Sequence, residues 1–135
     1  YGSEWGIEGR KEGGNDDPLR PALNLAEMEE KYKDCQLTEH IRMLGRLKKE
    51  LSPLSEGKYR ELLLTNRQYA FARIQDDKAV IVAVNNDENP AHVSIPVPAG
   101  GNAVNAVTGE PVNVENGRIN AELSPTGSLI VSVNI

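Results

Sequence analysis

From Lys58 onward the chain is a succession of short runs rich in β-branched and aromatic residues, each closed by turn residues. The runs are Tyr59–Thr65, Gln68–Gln75, Ala79–Asn85, His92–Pro98, Ala103–Val107, Val112–Glu115, Arg118–Leu123 and Ser128–Ile135. Runs this short and this evenly spaced cannot alternate with crossover helices, so they predict an antiparallel sandwich or barrel. In the last run Leu129, Val131, Val133 and Ile135 alternate with Ser128, Ile130, Ser132 and Asn134, which predicts one core face for the first set. Asn116–Gly117 is a two-residue hairpin signal, because both positions tolerate positive φ. Asp76–Asp77 and the stretch from Asn85 to Pro90 mark further turns. Ala79–Val84 has no polar interruption and predicts a strand inside a sheet with both sides covered.

Before Gly57 the chain is charged and follows a different period. Leu37, Ile41, Leu44, Leu47 and Leu51 recur near every 3.6 residues and predict a helix with one apolar face, ended by Pro53. Asn24 to Asp34 predicts a shorter helix, with Asn24 as its cap and Leu25, Met28 and Tyr32 on one side. Tyr1 to Ala22 is rich in glycine and carboxylates without periodicity, and reads as a long loop. The division falls at residues 1–56 and 57–135.

Fifteen Lys and Arg against twenty Asp and Glu give a net charge of −5 with the basic residues scattered, which argues against nucleic acid as a partner. The longest apolar stretch, Ala79–Val84, is far shorter than the roughly 20 residues a membrane helix needs, so no membrane partner and a soluble piece are expected. Cellular location stays open, with the cytoplasm slightly favoured. Cys35 is the single cysteine and only His40 and His92 add imidazoles, so neither a metal site nor a cofactor is expected.

Glycoside hydrolysis requires two carboxyl groups about 5–10 Å apart, one of them kept protonated by an apolar pocket. The loop offers Glu4, Glu8, Glu12, Asp16 and Asp17, none with a rigid scaffold, so no catalytic residue is assigned. Cys35 and His40 diverge on a helix and are read as a small core or boundary residue and a surface helix residue. Gly6, Gly9, Gly13 and Gly14 lack the Gly-Lys-Ser/Thr of a phosphate loop. Trp5 reads as a plug at the end of a barrel, with sugar stacking as the other role open to it.

The order of motifs is more specific than any single residue. Tyr1-Gly2-Ser3-Glu4, Gly6-Ile7-Glu8-Gly9, Gly13-Gly14-Asn15-Asp16-Asp17-Pro18-Leu19-Arg20-Pro21, an amphipathic helix, Gly57-Lys58-Tyr59, Tyr69 to Arg73 and Val80 to Asn86 follow one another. This succession resembles the end of an alpha-amylase-family enzyme, glycoside hydrolase family 13, and is similar to the neopullulanase, cyclomaltodextrinase and oligosaccharide α-glucosidase group. The resemblance implies a mainly β chain: an eight-stranded antiparallel Greek-key sandwich over 57–135. One or two helices and a loop left from the end of a (β/α)8 barrel precede it. It implies that Gly6–Pro21 is a loop over the active-site face and Leu37–Leu51 the eighth barrel helix. The catalytic carboxylates of a retaining glycosidase then lie on barrel strands upstream of Tyr1, and the fragment alone is inactive. It implies an α-glucan or maltooligosaccharide as substrate of the parent, contacted through Arg20 with Asp16 or Asp17, since charge-assisted hydrogen bonds hold sugar hydroxyls.

In that reading the sandwich stabilises the barrel. Two alternatives are a carbohydrate-binding module and a structural or assembly domain. For the module the aromatics are Tyr59, Tyr69 and Phe71, and Phe71 is assigned to the core. The apolar face of Leu37–Leu51 is a surface on which the fragment can form a homodimer.

Overall fold

The computed structural model of the chain describes residues 2–98 and 101–134, so Tyr1 and Ile135 lie outside the described residues. Two compact units divide it, Tyr1–Arg46 and Leu47–Ile135.

The second unit contains the β-structure. Its strands are β1 (Lys58–Leu64), β2 (Gln68–Gln75), β3 (Lys78–Asn85), β4 (Ala91–Pro96), β5 (Asn102–Asn105), β6 (Pro111–Val112), β7 (Arg118–Leu123) and β8 (Ser128–Asn134). One sheet has the order β1-β2-β3-β8-β5-β6 and a second pairs β4 with β7, every pair antiparallel. The pairings β3–β8, β4–β7 and β5–β6 are nested one inside the next, and β8 returns beside β5, which is the Greek-key return. The expected mainly β, eight-stranded antiparallel architecture is therefore present.

Three strands end two or more residues before the sequence reading has them end, each for a local reason. The expected strand Val112–Glu115 shortens to Pro111–Val112. Asn116 and Gly117 do adopt positive φ (51° and 71°), and Glu115 and Arg118 exchange two backbone hydrogen bonds of 2.9 Å. That pairing stops after one bridge because β7 continues against β4 instead. The expected strand Ala103–Val107 ends at Asn105, whose Oδ1 accepts the N–H groups of Val107 and Thr108 at 2.9 and 3.2 Å and turns the chain. The expected strand His92–Pro98 runs from Ala91 to Pro96, with two prolines at its end that lack a ladder donor.

The core lies between the two sheets. Ala70, Ala72, Ala79, Ile81 and Ala83 from β2 and β3, with Val131 and Val133 from β8, meet Val93, Ile95, Ile119 and Leu123 of the small sheet. Four alanines against the larger aliphatic side chains fill the interior by large-to-small matching. Leu129 packs on this cluster as the alternation predicts, but Ile130, expected on the polar side of β8, is also buried. Its neighbour across the ladder is Val82, and Val80 is buried nearby, so the β3–β8 pair is covered on both faces over this stretch. Val84, at the end of the apolar run, is 37% exposed, and coverage ends there.

The helices are α1 (Leu25–Lys31), α2 (Gln36–Glu50) and α3 (Pro53–Glu56). The Asn24 side chain caps α1, accepting the Glu27 N–H at 3.3 Å, and α1 stops at Lys31 rather than Asp34. Pro53 ends the amphipathic helix as expected but also starts α3, where its fixed φ suits a first helical position. α3 lies on β2 and β3. Arg73 Nε and Nη2 donate to the Pro53 and Ser55 carbonyls, both at 3.5 Å, and Gln75 Nε2 donates to Glu56 Oε2 at 2.8 Å.

Gly57 makes the close approach of α3 possible. A Cβ there would stand 2.6 Å from the Pro53 oxygen and 2.8 Å from the Ile74 nitrogen, both backbone atoms that cannot swing aside. Gly57→Ala is expected to destabilise the sandwich by about 2 kcal/mol, the range of an overpacked core. Urea unfolding checks it, with an unchanged slope and a lower midpoint.

The first unit is built otherwise. Two 3-10 turns, Ser3–Trp5 and Asp17–Leu19, and a bridge between Glu12 and Asn15 shape the glycine-rich stretch. Trp5 stacks on Tyr32 with ring centroids 6.4 Å apart. None of the described residues 2–46 is buried. On the apolar face of α2, Leu37, Ile41 and Leu44 are 42%, 42% and 38% exposed, and only Leu47 is buried. No helix among the described residues is long and apolar enough to cross a membrane.

Candidate functional site

The residues singled out for sugar contact sit in the loop of the first unit. Asn15 Oδ1 accepts the Asp17 N–H at 3.0 Å, and the Leu19 and Arg20 N–H groups bond the Asp16 and Asp17 carbonyls at 3.0 and 2.9 Å. With Pro18 fixing the second position, these bonds fold Asp17–Leu19 into one 3-10 turn. Gly9 lies against the turn so closely that a Cβ would be 2.5 Å from the Pro18 oxygen. The two halves of the loop therefore touch through backbone.

Asp16, Asp17 and Arg20 are all exposed. Asp16 pairs with Lys11 at 2.9 Å, an exposed ion pair contributing at most about 1 kcal/mol. Among the described residues no ion pair joins Arg20 to Asp16 or Asp17. The turn thus presents a guanidinium and a carboxylate separately, as hydrogen-bonding groups without an apolar wall. Glu4, Glu8 and Glu12 are equally exposed. No cluster of three or more His, Cys, Asp or Glu suited to a cation occurs among the described residues. Cys35 is half-buried before the first turn of α2, where hydrogen bonds from the Thr38 hydroxyl, then the Thr38 N–H, lower its thiol below the ordinary value.

The sandwich presents two unlike outer faces. On the small sheet the outward residues of β4 and β7 are polar and tied to one another. His92 Nε2 lies 3.1 Å from Glu122 Oε2, Ser94 Oγ donates to Asn120 Oδ1 at 2.7 Å, and Arg118 reaches the Ser94 hydroxyl and carbonyl at 2.8 and 2.6 Å.

The outer face of β1 and β2 is aromatic. Phe71, expected in the core, is placed there because Ala70 and Ala72 point inward and strand alternation turns Phe71 out. Its ring meets those of Tyr59 and Tyr69, each at 5.8 Å between centroids and tilted by 31° and 35°. The Tyr59 and Tyr69 hydroxyls hydrogen-bond to each other.

That bond, followed by desolvation, pushes the Tyr59 phenol up to about 12. A phenol raised in the folded state stabilises the fold below its ordinary value of about 10, and that contribution is lost as pH climbs toward the folded value. Tyr69→Phe is expected to bring the Tyr59 ionisation back toward the ordinary range. Alkaline absorbance titration checks it: an unmoved Tyr59 transition contradicts the pairing.

One polar residue that matters for the architecture, Asn85, reads in the sequence only as the start of a turn at the end of the Val80 to Asn86 run. Asn85, 2% exposed, closes β3. Its Nδ2 donates to the Asn89 and Ser124 carbonyls at 2.9 and 3.0 Å, and its Oδ1 accepts from Gln68 Nε2 at 2.9 Å and the Asp87 N–H at 3.2 Å. Three chain reversals meet on this one amide. The sequence signal is an Asn-Asn pair ending an apolar strand, which also describes ordinary turn residues.

Known proteins share this arrangement. The family described as "Neopullulanase-like, C-terminal domain" matches residues 59–132, just over half of the chain. Neopullulanase 2 of Thermoactinomyces vulgaris is 30% identical over 135 residues, covering 97% of this chain and 22% of that protein. An Anoxybacillus alpha-amylase structure superposes with a TM-score of 0.80 at 21% identity, over 99% of this chain and 28% of that one. A cyclomaltodextrinase structure gives 0.80 at 22% identity, over 99% and 22% of the two chains. The chain thus spans less than a third of the length of each of these relatives. It belongs to the neopullulanase-like C-terminal domain family of the alpha-amylase-type enzymes.

Proposed function

We propose that this chain is the non-catalytic end of a retaining α-amylase-family glycosidase acting on α-glucans or maltooligosaccharides, in which the sandwich stabilises the catalytic domain. The observation that carries the reading is the likeness to neopullulanase 2 over 97% of the chain, loop and helices included. The exposure of all five loop carboxylates supports the absence of catalysis within the chain itself. Arg20, with Asp16 or Asp17, contacts a sugar hydroxyl in the complete enzyme, where a substrate would supply the partner that the guanidinium does not find in those two carboxylates.

Hydrolysis of maltotriose and larger α-glucans tests this. The full-length polypeptide is expected to release reducing ends with retained anomeric configuration, and the present chain to release none. Arg20→Ala in the full-length protein is expected to raise KM more than it lowers kcat. A full-length protein with no activity on any α-glucan, or a present chain that is itself active, overturns the reading.

A further inference from the structure

Asn116 is the only asparagine in the chain that a glycine follows. Asparagine is a thermolabile side chain because the backbone nitrogen of the next residue can attack its amide carbon and close a five-membered ring. A glycine leaves that nitrogen uncrowded. In a folded chain the closure also needs a side-chain amide and an attacking N–H that are both free of hydrogen bonds, and a backbone able to turn between them.

The Asn116–Gly117 turn meets these conditions. Both residues are exposed. Among the described residues no hydrogen bond engages the Asn116 side chain or the Gly117 N–H, and Gly117 takes part only through its carbonyl, which accepts the Val97 N–H at 2.9 Å. Nothing lies within 4 Å of where a Gly117 Cβ would stand, so the space around the residue is open. The turn is closed by the single bridge of Glu115 with Arg118, and β6 has already ended at Val112. A turn held by one bridge at the surface opens locally at little cost. Other asparagines lack this combination. The amides of Asn85, Asn105 and Asn120 are tied by hydrogen bonds, and the residues after them are Asn86, Ala106 and Ala121, whose Cβ atoms crowd the nitrogen.

We propose that Asn116 is a site of spontaneous covalent modification, an amide that converts in the folded chain to aspartyl and isoaspartyl forms. The Gly117 nitrogen gives up its proton and bonds to Asn116 Cγ, the Cγ–Nδ2 bond breaks, and the side-chain nitrogen leaves as ammonia with that proton. Water then opens the cyclic imide. Opening at the side-chain carbonyl restores the original peptide bond and leaves aspartate. Opening at the backbone carbonyl leaves isoaspartate, with the main chain routed through Cβ and Cγ. Either product makes the net charge of −5 one unit more negative. Isoaspartate also adds a methylene to the main chain of a two-residue turn, so the two 2.9 Å bonds between Glu115 and Arg118 cannot both persist. β7 keeps its pairing with β4 from Arg118 onward, which confines the change to the turn.

Incubation of the chain at mildly alkaline pH, under conditions that keep it folded, followed by peptide mass spectrometry tests this. The segment holding Asn116 is expected to gain the mass of an amide-to-acid exchange several-fold faster than those holding Asn85, Asn105 or Asn120. Its rate is expected to lie within several-fold of the same segment as a free peptide, and to rise with pH, since the attacking nitrogen must lose its proton. Asn116→Asp, which keeps a residue tolerant of positive φ, is expected to abolish the fast mass gain. In the converted chain the isoaspartyl form is expected to exchange its Glu115 and Arg118 amide hydrogens faster than the aspartyl form, with β3 unchanged in both. An Asn116 that stays an amide while the free peptide converts overturns the proposal, because the folded turn then protects it. So does a fast conversion located at any other asparagine.

Discussion

Ile81→Ala is expected to destabilise the sandwich by about 4 kcal/mol, the upper part of the range for truncating a large aliphatic side chain in a closed core. Ile81 is 1% exposed on β3, with Ala72 beside it on β2 and Val131 beside it on β8. The position cannot collapse around the lost atoms. Its flanking core residues on β2 and β3 are already alanines, and the facing side chains Ile95 and Ile119 are themselves fully buried. The cavity therefore persists, and the cavity cost adds to the lost transfer free energy. Urea unfolding followed by circular dichroism checks this, with the midpoint falling and the slope unchanged. A loss under about 1 kcal/mol would show that the sheets move together to fill the space.

Asn85→Leu is expected to cost about 3 kcal/mol although leucine is close in volume and more apolar, because removing one partner strands the groups it served. The Asn89 and Ser124 carbonyls lose their donors, and Gln68 Nε2 and the Asp87 N–H lose their acceptor. Backbone bonds at the same place, Asn85 N–H to the Gly127 carbonyl and Asn86 N–H to the Arg67 carbonyl, depend on the same convergence of turns. Asn85→Asp separates shape from hydrogen bonding. It keeps the acceptor oxygen and deletes both amide donors, so it should also destabilise, and less at acid pH, where the carboxyl regains a proton. Leucine tolerated at this site would mean that packing alone holds the three turns.

Period-two alternation and turn chemistry made most of the sandwich legible in the sequence. β2 and β7 have the residues the pattern names, and Asn116–Gly117 makes the turn its φ preferences demand. Alternation says which residues share a face but not which face is inside. Phe71 looks like the core residue of β2, yet the interior takes Ala70 and Ala72, because the facing sheet brings the large side chains. The amphipathic stripe of α2 has the same ambiguity: it marks Leu37, Ile41 and Leu44 as apolar without saying what covers them. In the loop, Asp16, Asp17 and Arg20 are neighbours in sequence. Asp16 instead meets Lys11, a pairing that depends on the loop folding back through the bridge of Glu12 with Asn15. The role of Asn85 escapes sequence reading because its four partners come from three separate turns.

A sandwich with its own core is joined here to a segment whose described residues, 2–46, have none. Residue-resolved hydrogen exchange on the chain, held dilute enough to be monomeric, tests it most directly. Amides of β2, β3, β7 and β8 are expected to exchange only through global unfolding, and those of residues 2–46 to exchange many orders of magnitude faster, through local opening. Protection across residues 2–46 equal to that of β3 would contradict the account, since it would require a buried, cooperative fold where none of the described residues is buried.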